Sequence, residues 1–112
     1  MRLPAHAAFA SLAIALAVPG AHAAIDNARA DALMKSAGCN ACHLVDKKLI
    51  GPGYKDVAAR YKGDPAAAKK LEAAVRAGTK GGVWGPVPMV ATPPARMSDA
   101  DLRALIEWIL RR

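Results

Sequence analysis

The chain has 112 residues, of which 54% are hydrophobic and 4% aromatic, and its 16 basic and 9 acidic residues give a formal net charge of +7. A chain of this length supports one small domain, whose core is marginal without an added source of stability. The positive charge favours acidic partners, and the absence of interleaved aromatic residues or a recognition module argues against nucleic-acid binding.

The N-terminus has the pattern of a secretory signal peptide. A short basic start and an apolar stretch over residues 7–18 precede Ala21-His22-Ala23, which has the small-residue pattern of a cleavage site. The apolar stretch is shorter than the roughly 20 residues that span a bilayer, which disfavours a retained membrane anchor. The sequence therefore predicts a cleaved signal peptide over residues 1–23 and one exported domain over residues 24–112.

The first helix of the exported domain leads directly into the most informative motif of the chain. The residue pattern predicts a helix over Asp26–Ala37, with Asp26 or Asn27 as N-cap and Gly38 as the residue that ends it. The next five residues, Cys39-Asn40-Ala41-Cys42-His43, form a Cys-X-X-Cys-His run, the attachment signature of a c-type haem. On the first turn of a helix, each thiol would bond one porphyrin vinyl group and the imidazole would bind the iron.

Two other interpretations of the cysteine pair are weaker. A dithiol redox motif prefers a thioredoxin-like βαβ context, and the chain has few stretches that could form its strands. Half of a zinc site needs a second pair of ligands, but the chain has only 2 cysteines. A covalently bound haem c, with Cys39 and Cys42 as attachment sites and His43 as an axial ligand, is the prediction we make.

The middle of the chain alternates loops and short helices. Residues 44–53 lack a helical period and contain Gly51-Pro52-Gly53, so we expect a loop that crosses the histidine side of the haem. A short helix is predicted over residues 54–61. A further helix is predicted from Asp64-Pro65, an N-cap followed by proline, to Ala77, with Gly78 after it.

The last part of the chain is predicted to be a long loop and an amphipathic helix. Residues 78–94 are rich in glycine and proline, which predicts an extended loop. Ser98 is the expected N-cap of the final helix, with Asp101 three residues later. The apolar stripe of this helix is expected to pack on the first helix and consists of Leu102, Leu105, Ile106, Ile109 and Leu110.

The exported domain offers three methionines and no second histidine for the other axial position of the iron. Met34 lies in the first helix and Met97 directly precedes the last one, and both positions are typical of core packing. Met89 lies in a segment that two prolines stiffen, which favours it as the ligand.

Four segments together resemble the small bacterial class I cytochromes of the cytochrome c-551 (c8) type. They are residues 39–43, 51–58 and 82–89, and Trp108-Ile109-Leu110 in the final helix. The resemblance covers essentially all of the exported domain. It implies an all-α cytochrome c fold, with about four helices and an extended loop wrapped around one covalent haem, and it makes Met89 the sixth iron ligand.

The resemblance also implies roles for residues around the haem. The Pro52 carbonyl is expected to bond the other nitrogen of the His43 imidazole, which fixes the ring orientation. The Trp84 indole N–H is expected to point to a haem propionate, although a packed core tryptophan is an equally consistent alternative. Family members often carry an asparagine after the ligand methionine, so here a hydrogen bond to the sulfur comes from Thr92 or is absent.

With both axial positions filled, the expected function is one-electron transfer by a periplasmic carrier, not an enzyme. The expected partners are acidic redox proteins of a periplasmic respiratory chain, such as a nitrite reductase or a terminal oxidase, and the carrier is expected to be a monomer without a membrane span. The alternatives are a haem-based ligand-binding or peroxidase-type protein with an open sixth site, and a subunit held permanently in a larger complex.

Overall fold

The structure, a computed structural model, describes Met1 and residues 23–112. The predicted signal peptide therefore lies outside the described residues apart from its two ends. Residues 23–112 form four α-helices, α1 (Asn27–Ala37), α2 (Tyr54–Arg60), α3 (Ala67–Ala77) and α4 (Asp99–Leu110), and a 3-10 turn at Cys39–Ala41. They contain isolated β-bridges but no β-strand, and the predicted all-α fold is confirmed.

Helix α1 ends where the cysteine motif begins. The Asp26 carboxylate accepts a hydrogen bond from the Arg29 N–H at 2.8 Å, so Asp26 is the N-cap. Gly38 adopts a left-handed backbone with φ of 80°, and its N–H donates to carbonyls of the last turn. The next residues form a 3-10 turn, not the first turn of an α-helix as predicted, because the Cys42 N–H donates to the carbonyl of Cys39 three residues earlier.

Helices α2 and α3 lie close to their predicted positions. Helix α2 ends at Arg60, one residue before the predicted end. The Asp64 carboxylate accepts from the Ala66 N–H at 2.8 Å, as an N-cap does, but residues 65–66 form a turn and α3 begins only at Ala67. The glycine expected after this helix, Gly78, has a positive φ of 71°.

Helix α4 is the centre of the core. It contacts α1, α2 and α3, so the predicted partner, α1, is one of three. Four residues of its apolar stripe are buried, and Ile106 is only 1% exposed, whereas Leu110 is half-buried. Its N-cap, Ser98, accepts from the Asp101 N–H as predicted. In the described part of the chain, no helix is long and apolar enough to cross a membrane.

A polar contact joins the start of α1 to the end of α4. The buried Trp108 indole N–H donates to the side-chain oxygen of Asn27 at 3.0 Å. The guanidinium of Arg112 lies 4.1 Å from the centre of the Trp108 ring and also donates to Asn27. Asn27 therefore joins the two ends of the described domain by accepting from both Trp108 and Arg112.

We expect Asn27→Ala to lower the free energy of unfolding by about 1–3 kcal/mol, because it leaves a buried indole N–H without an acceptor. Asn27→Asp keeps an acceptor oxygen and adds a negative charge at a helix N-terminus, so its stability should stay near that of the wild type. Denaturant unfolding of the holoprotein, followed by circular dichroism, compares the two variants. Equal losses in both would show that the hydrogen bond is not the stabilising contact.

Candidate haem site

Helices and loops enclose a cleft of about 320 Å³ that brings the predicted site residues together. Cys39, Cys42, His43, Trp84 and Met89 all line it, although they come from segments far apart in the chain. The rest of its lining is mostly apolar and comes from both loops and from α2, α3 and α4. Among the described residues, no lysine, arginine, aspartate or glutamate lines the cleft. Such a lining suits a large, flat, mainly apolar group such as a porphyrin.

The two thiols are half-buried and free. No disulfide joins Cys39 to Cys42, and both side chains line the cleft. Burial raises the pKa of the Cys39 thiol above its ordinary value, so the thiol is protonated at neutral pH. Because neither sulfur is in a disulfide and both line the cleft, both are available for the thioether bonds that the motif predicts.

The His43 ring is held in one orientation. Its Nδ1 lies 2.8 Å from the Pro52 carbonyl oxygen, as the resemblance implied. Because a carbonyl oxygen can only accept, Nδ1 carries the proton and Nε2 presents a lone pair. The Tyr54 ring stacks on the imidazole, with ring centres 5.2 Å apart and planes 17° apart. This arrangement prepares Nε2 to bind a metal ion.

The loop that carries Pro52 is pressed against the histidine. A Cβ atom added at Gly51 would lie 2.5 Å from Cε1 of His43, so only glycine fits at this position. The Gly51 N–H donates to the Cys42 carbonyl at 2.8 Å, which ties the loop to the cysteine motif. The predicted loop thus crosses the histidine, but the roles of Gly51 and Tyr54 were missed. The Gly-Pro-Gly-Tyr sequence is the signal that could have indicated them.

Met89 is held by backbone pairing across the second loop. Its N–H donates to the Thr79 carbonyl at 3.0 Å, and the Thr79 N–H donates to the Met89 carbonyl at 2.9 Å. A Cβ atom at Gly78 would lie 2.6 Å from the Met89 carbonyl oxygen. The segment predicted as an extended loop is therefore folded back on itself and fixes the Met89 backbone.

The two other methionines, Met34 and Met97, and the predicted hydrogen-bond donor Thr92 differ in their position relative to the cleft. Met34 is buried in the core and does not line the cleft, in agreement with a packing role. Met97 is also buried in the core, but it lines the cleft as well. Thr92 is buried on the cleft wall and its N–H donates to Val75, but its side chain makes no hydrogen bond to the Met89 sulfur.

Trp84 lies at the tip of the second loop, between Gly82 and Gly85, whose backbones pair with each other. Its half-buried ring lines the cleft and also packs against the edge of the core. This position is compatible with both predicted roles, an indole that faces a haem propionate and a tryptophan packed on the core. The guanidinium carbon of Arg60 lies 5.6 Å from the ring centre. Sequence reasoning gave no signal for this contact, since it joins the end of α2 to a distant loop.

The cytochrome c family model matches residues 27–112. The chain is 50% identical over 78 residues to cytochrome c-551 of Allochromatium vinosum, a match covering 70% of this chain and 80% of the relative. It is 44% identical over 80 residues to cytochrome c-551 of Pseudomonas aeruginosa, covering 71% and 73%. The crystal structure of Nitrosomonas europaea cytochrome c552 superposes with a TM-score of 0.64 at 43% identity, covering 72% of this chain and 96% of that one.

The family match spans all four helices and both loops that line the cleft. The Nitrosomonas europaea structure shares the fold derived above. An apolar cleft with two free thiols beside an oriented histidine fits the haem c that this family carries. The chain belongs to the cytochrome c family and is a class I c-type cytochrome of the c-551 type, a monohaem electron carrier.

Proposed function

We propose that this protein is a periplasmic one-electron carrier, with Cys39 and Cys42 bonded to the haem and His43 and Met89 as the axial iron ligands. The haem supplies the chemistry, a change between ferric and ferrous iron. The observation that carries the proposal is the uncharged cleft, in which the hydrogen-bonded His43 and the backbone-fixed Met89 both take part. A thioether ligand in an apolar site favours the ferrous form and raises the potential.

The lining of the cleft favours a carrier over a haem enzyme. A peroxidase-type reaction needs acid–base groups on the open side of the iron. The ionisable side chains on the lining are the two cysteines, His43, Tyr54 and Tyr61. Three of them, the two cysteines and His43, belong to the attachment motif, and Tyr54 stacks on the histidine, so a second acid–base pair is missing from the described lining.

An apolar rim at the mouth of the cleft supports electron exchange with other proteins. Ile50, Val83, Val87 and Val90 line the cleft, and their side chains are between 51% and 74% exposed. These residues, which we call the rim, lie on the two loops that also carry Pro52 and Met89. A small exposed apolar surface is typical of transient redox encounters.

Positive charge accompanies the rim. Three lysines lie next to the cleft in the chain: Lys47 and Lys48 precede Ile50, and Lys80 precedes Gly81 of the cleft lining. None of the three forms an ion pair with any residue in 23–112. Free positive charge around a contact surface steers oppositely charged partners. The proposed partners are therefore acidic redox proteins, such as a nitrite reductase or a terminal oxidase, that meet a monomeric carrier.

The electron-carrier proposal predicts a specific salt dependence. We expect the rate of oxidation by hexacyanoferrate(III), an anion, to fall several-fold when ionic strength rises from about 0.01 M to about 0.15 M, because the Debye length shortens from about 30 Å to about 8 Å. A Lys47→Gln, Lys48→Gln double variant should react more slowly and show a weaker salt dependence. Stopped-flow absorption measures both.

A matched control for this test is Lys69→Gln, Lys70→Gln, since these residues of α3 line neither the cleft nor its rim. It removes the same charge and should change the rate less than the loop variant does. Equal effects of the two variants would contradict a steering role of the rim lysines.

The export proposal is tested separately. The mature holoprotein from a periplasmic extract should begin at Ala24, and an intact N-terminus in the membrane fraction would contradict the proposal.

A further inference from the structure

One arginine connects two helices to the second loop, residues 78–94. Arg76 lies in the last turn of α3, and its Nη1 donates to the Thr92 carbonyl of the loop at 3.0 Å. Its Nη2 donates to the carboxylate of Asp99, the first residue of α4, at 2.6 Å. The Arg76 side chain is 21% exposed, less than any other lysine or arginine that forms an ion pair within residues 23–112. Its contacts are therefore the least screened by solvent.

The loop residue that Arg76 binds is an anchor point. Thr92 is 8% exposed, whereas Ala91 and Pro93 on either side of it are exposed. The Thr92 N–H donates to the Val75 carbonyl at 2.9 Å, so both polar groups of its backbone bond to the last turn of α3. Among residues 23–112, no other charged side chain forms a hydrogen bond with the second loop.

Met89 lies three residues before this anchor and is held on its other side as well. Thr79 pairs with the Met89 backbone, and a Cβ atom at Gly78 would lie 2.6 Å from the Met89 carbonyl oxygen and 2.8 Å from the Ala91 nitrogen. The segment from Met89 to Thr92 therefore rests on the end of α3. Because its backbone is fixed at both ends, the Met89 side chain is kept at the cleft, and room for another ligand requires the loop to move off α3.

We propose that Arg76 is a positioning residue, which holds the second loop on α3 and so keeps Met89 on the iron. The assignment rests on the proposed function, in which Met89 is the sixth ligand. When the loop moves off α3, the half-buried guanidinium loses the Thr92 carbonyl, and hydrogen bonds from a charged donor are stronger than those from a neutral one. Arg76 therefore favours the closed loop over the open loop, and Asp99 orients the guanidinium.

The test measures how strongly imidazole displaces Met89 from the ferric iron of the holoprotein. Imidazole is neutral at about pH 8, so a change in protein charge does not steer it. Arg76→Leu removes the donor to Thr92 and should raise the imidazole affinity about tenfold, equivalent to about 1.4 kcal/mol and within reach of one charged hydrogen bond. The loss of the weak red band follows the titration. At saturating imidazole, the binding rate in stopped flow reports how fast Met89 leaves the iron, and this rate should rise too.

Arg103→Leu is the matched control. Arg103 of α4 also pairs with α3, through the Glu72 carboxylate at 3.3 Å, but it forms no hydrogen bond to the second loop. Its imidazole affinity should stay within about twofold of the wild type, because an exposed ion pair contributes little. Arg76→Gln and Arg103→Gln form a second, milder pair with the same expected order, should Arg76→Leu fail to fold.

Asp99→Asn separates the carbonyl bond from the ion pair. Asparagine keeps an oxygen that can orient Arg76, and the Asp99 side chain is 81% exposed, so the affinity should rise less than about threefold. An increase as large as in Arg76→Leu would overturn the assignment, since the ion pair and not the Thr92 carbonyl would then hold the loop.

Equal imidazole affinities and equal saturating rates in Arg76→Leu and Arg103→Leu would also overturn the assignment. The wild-type spectrum keeps this result separate from the proposed function. A wild type without the red methionine band would contradict Met89 as the ligand, whereas a normal band with equal variants would contradict only the role of Arg76.

Discussion

Replacing Met89 with alanine is expected to open the sixth coordination site of the haem iron. Alanine removes the only sulfur on the backbone-fixed second loop, residues 78–94, so the thioether ligand is lost. The ferric protein should lose the weak red charge-transfer band of a methionine ligand, become high-spin and bind carbon monoxide when reduced. The midpoint potential should fall by on the order of 0.1 V or more, because axial ligands move haem potentials over about 0.8 V.

Met97→Leu is the matched control, since Met97 is the other methionine on the cleft lining. Its side chain is 4% exposed and packs in the core, and a volume-conserving change there should cost less than about 1.5 kcal/mol. The red band should persist in this variant. If Met97→Leu loses the band and Met89→Ala keeps it, the ligand is Met97 and our assignment is wrong.

Gly51→Ala should disturb the histidine side of the haem. The added methyl group would lie 2.5 Å from Cε1 of His43, so either the ring or the loop must move. We expect the free energy of unfolding to fall by about 1–3 kcal/mol, the usual cost of overpacking. Movement of the loop also weakens the bond between Nδ1 and the Pro52 carbonyl, which lowers imidazole basicity and raises the midpoint potential.

Gly53→Ala separates these two effects. A methyl group at Gly53 would lie 2.9 Å from the backbone of Lys47, away from the imidazole, and so overpacks the same loop. We expect a comparable loss of stability in denaturant unfolding but a potential close to that of the wild type. A similar rise in potential in both variants would mean that loop strain, and not the displaced histidine bond, sets the effect.

Local features of this protein were predictable from sequence because they depend on neighbouring residues. The N-cap at Asp26, the left-handed Gly38 and the Ser98 cap of α4 are each decided within a few positions, and the structure has all three. The start of α3 was predicted too early, because the prediction rested on the cap residue and the proline after it. Asp64 caps the chain as expected, but the turn at residues 65–66 delays the helix.

Contacts between distant segments were harder to predict. The pairing of Thr79 with Met89 was not indicated, because glycine and proline disfavour strands while permitting a single paired position. The stacking of Tyr54 on His43 and of Arg60 on Trp84 depends on how helices and loops meet in space. The bond from His43 to Pro52 was anticipated from the family resemblance and not from residue spacing.

Carbon monoxide titration of the reduced wild-type holoprotein tests the central claim most directly. If His43 and Met89 fill both axial positions, the ferrous spectrum should stay unchanged at carbon monoxide concentrations that saturate Met89→Ala. The same sample should titrate as a reversible one-electron couple. Ready binding of carbon monoxide by the wild type would show an open sixth site and contradict a carrier with two protein ligands.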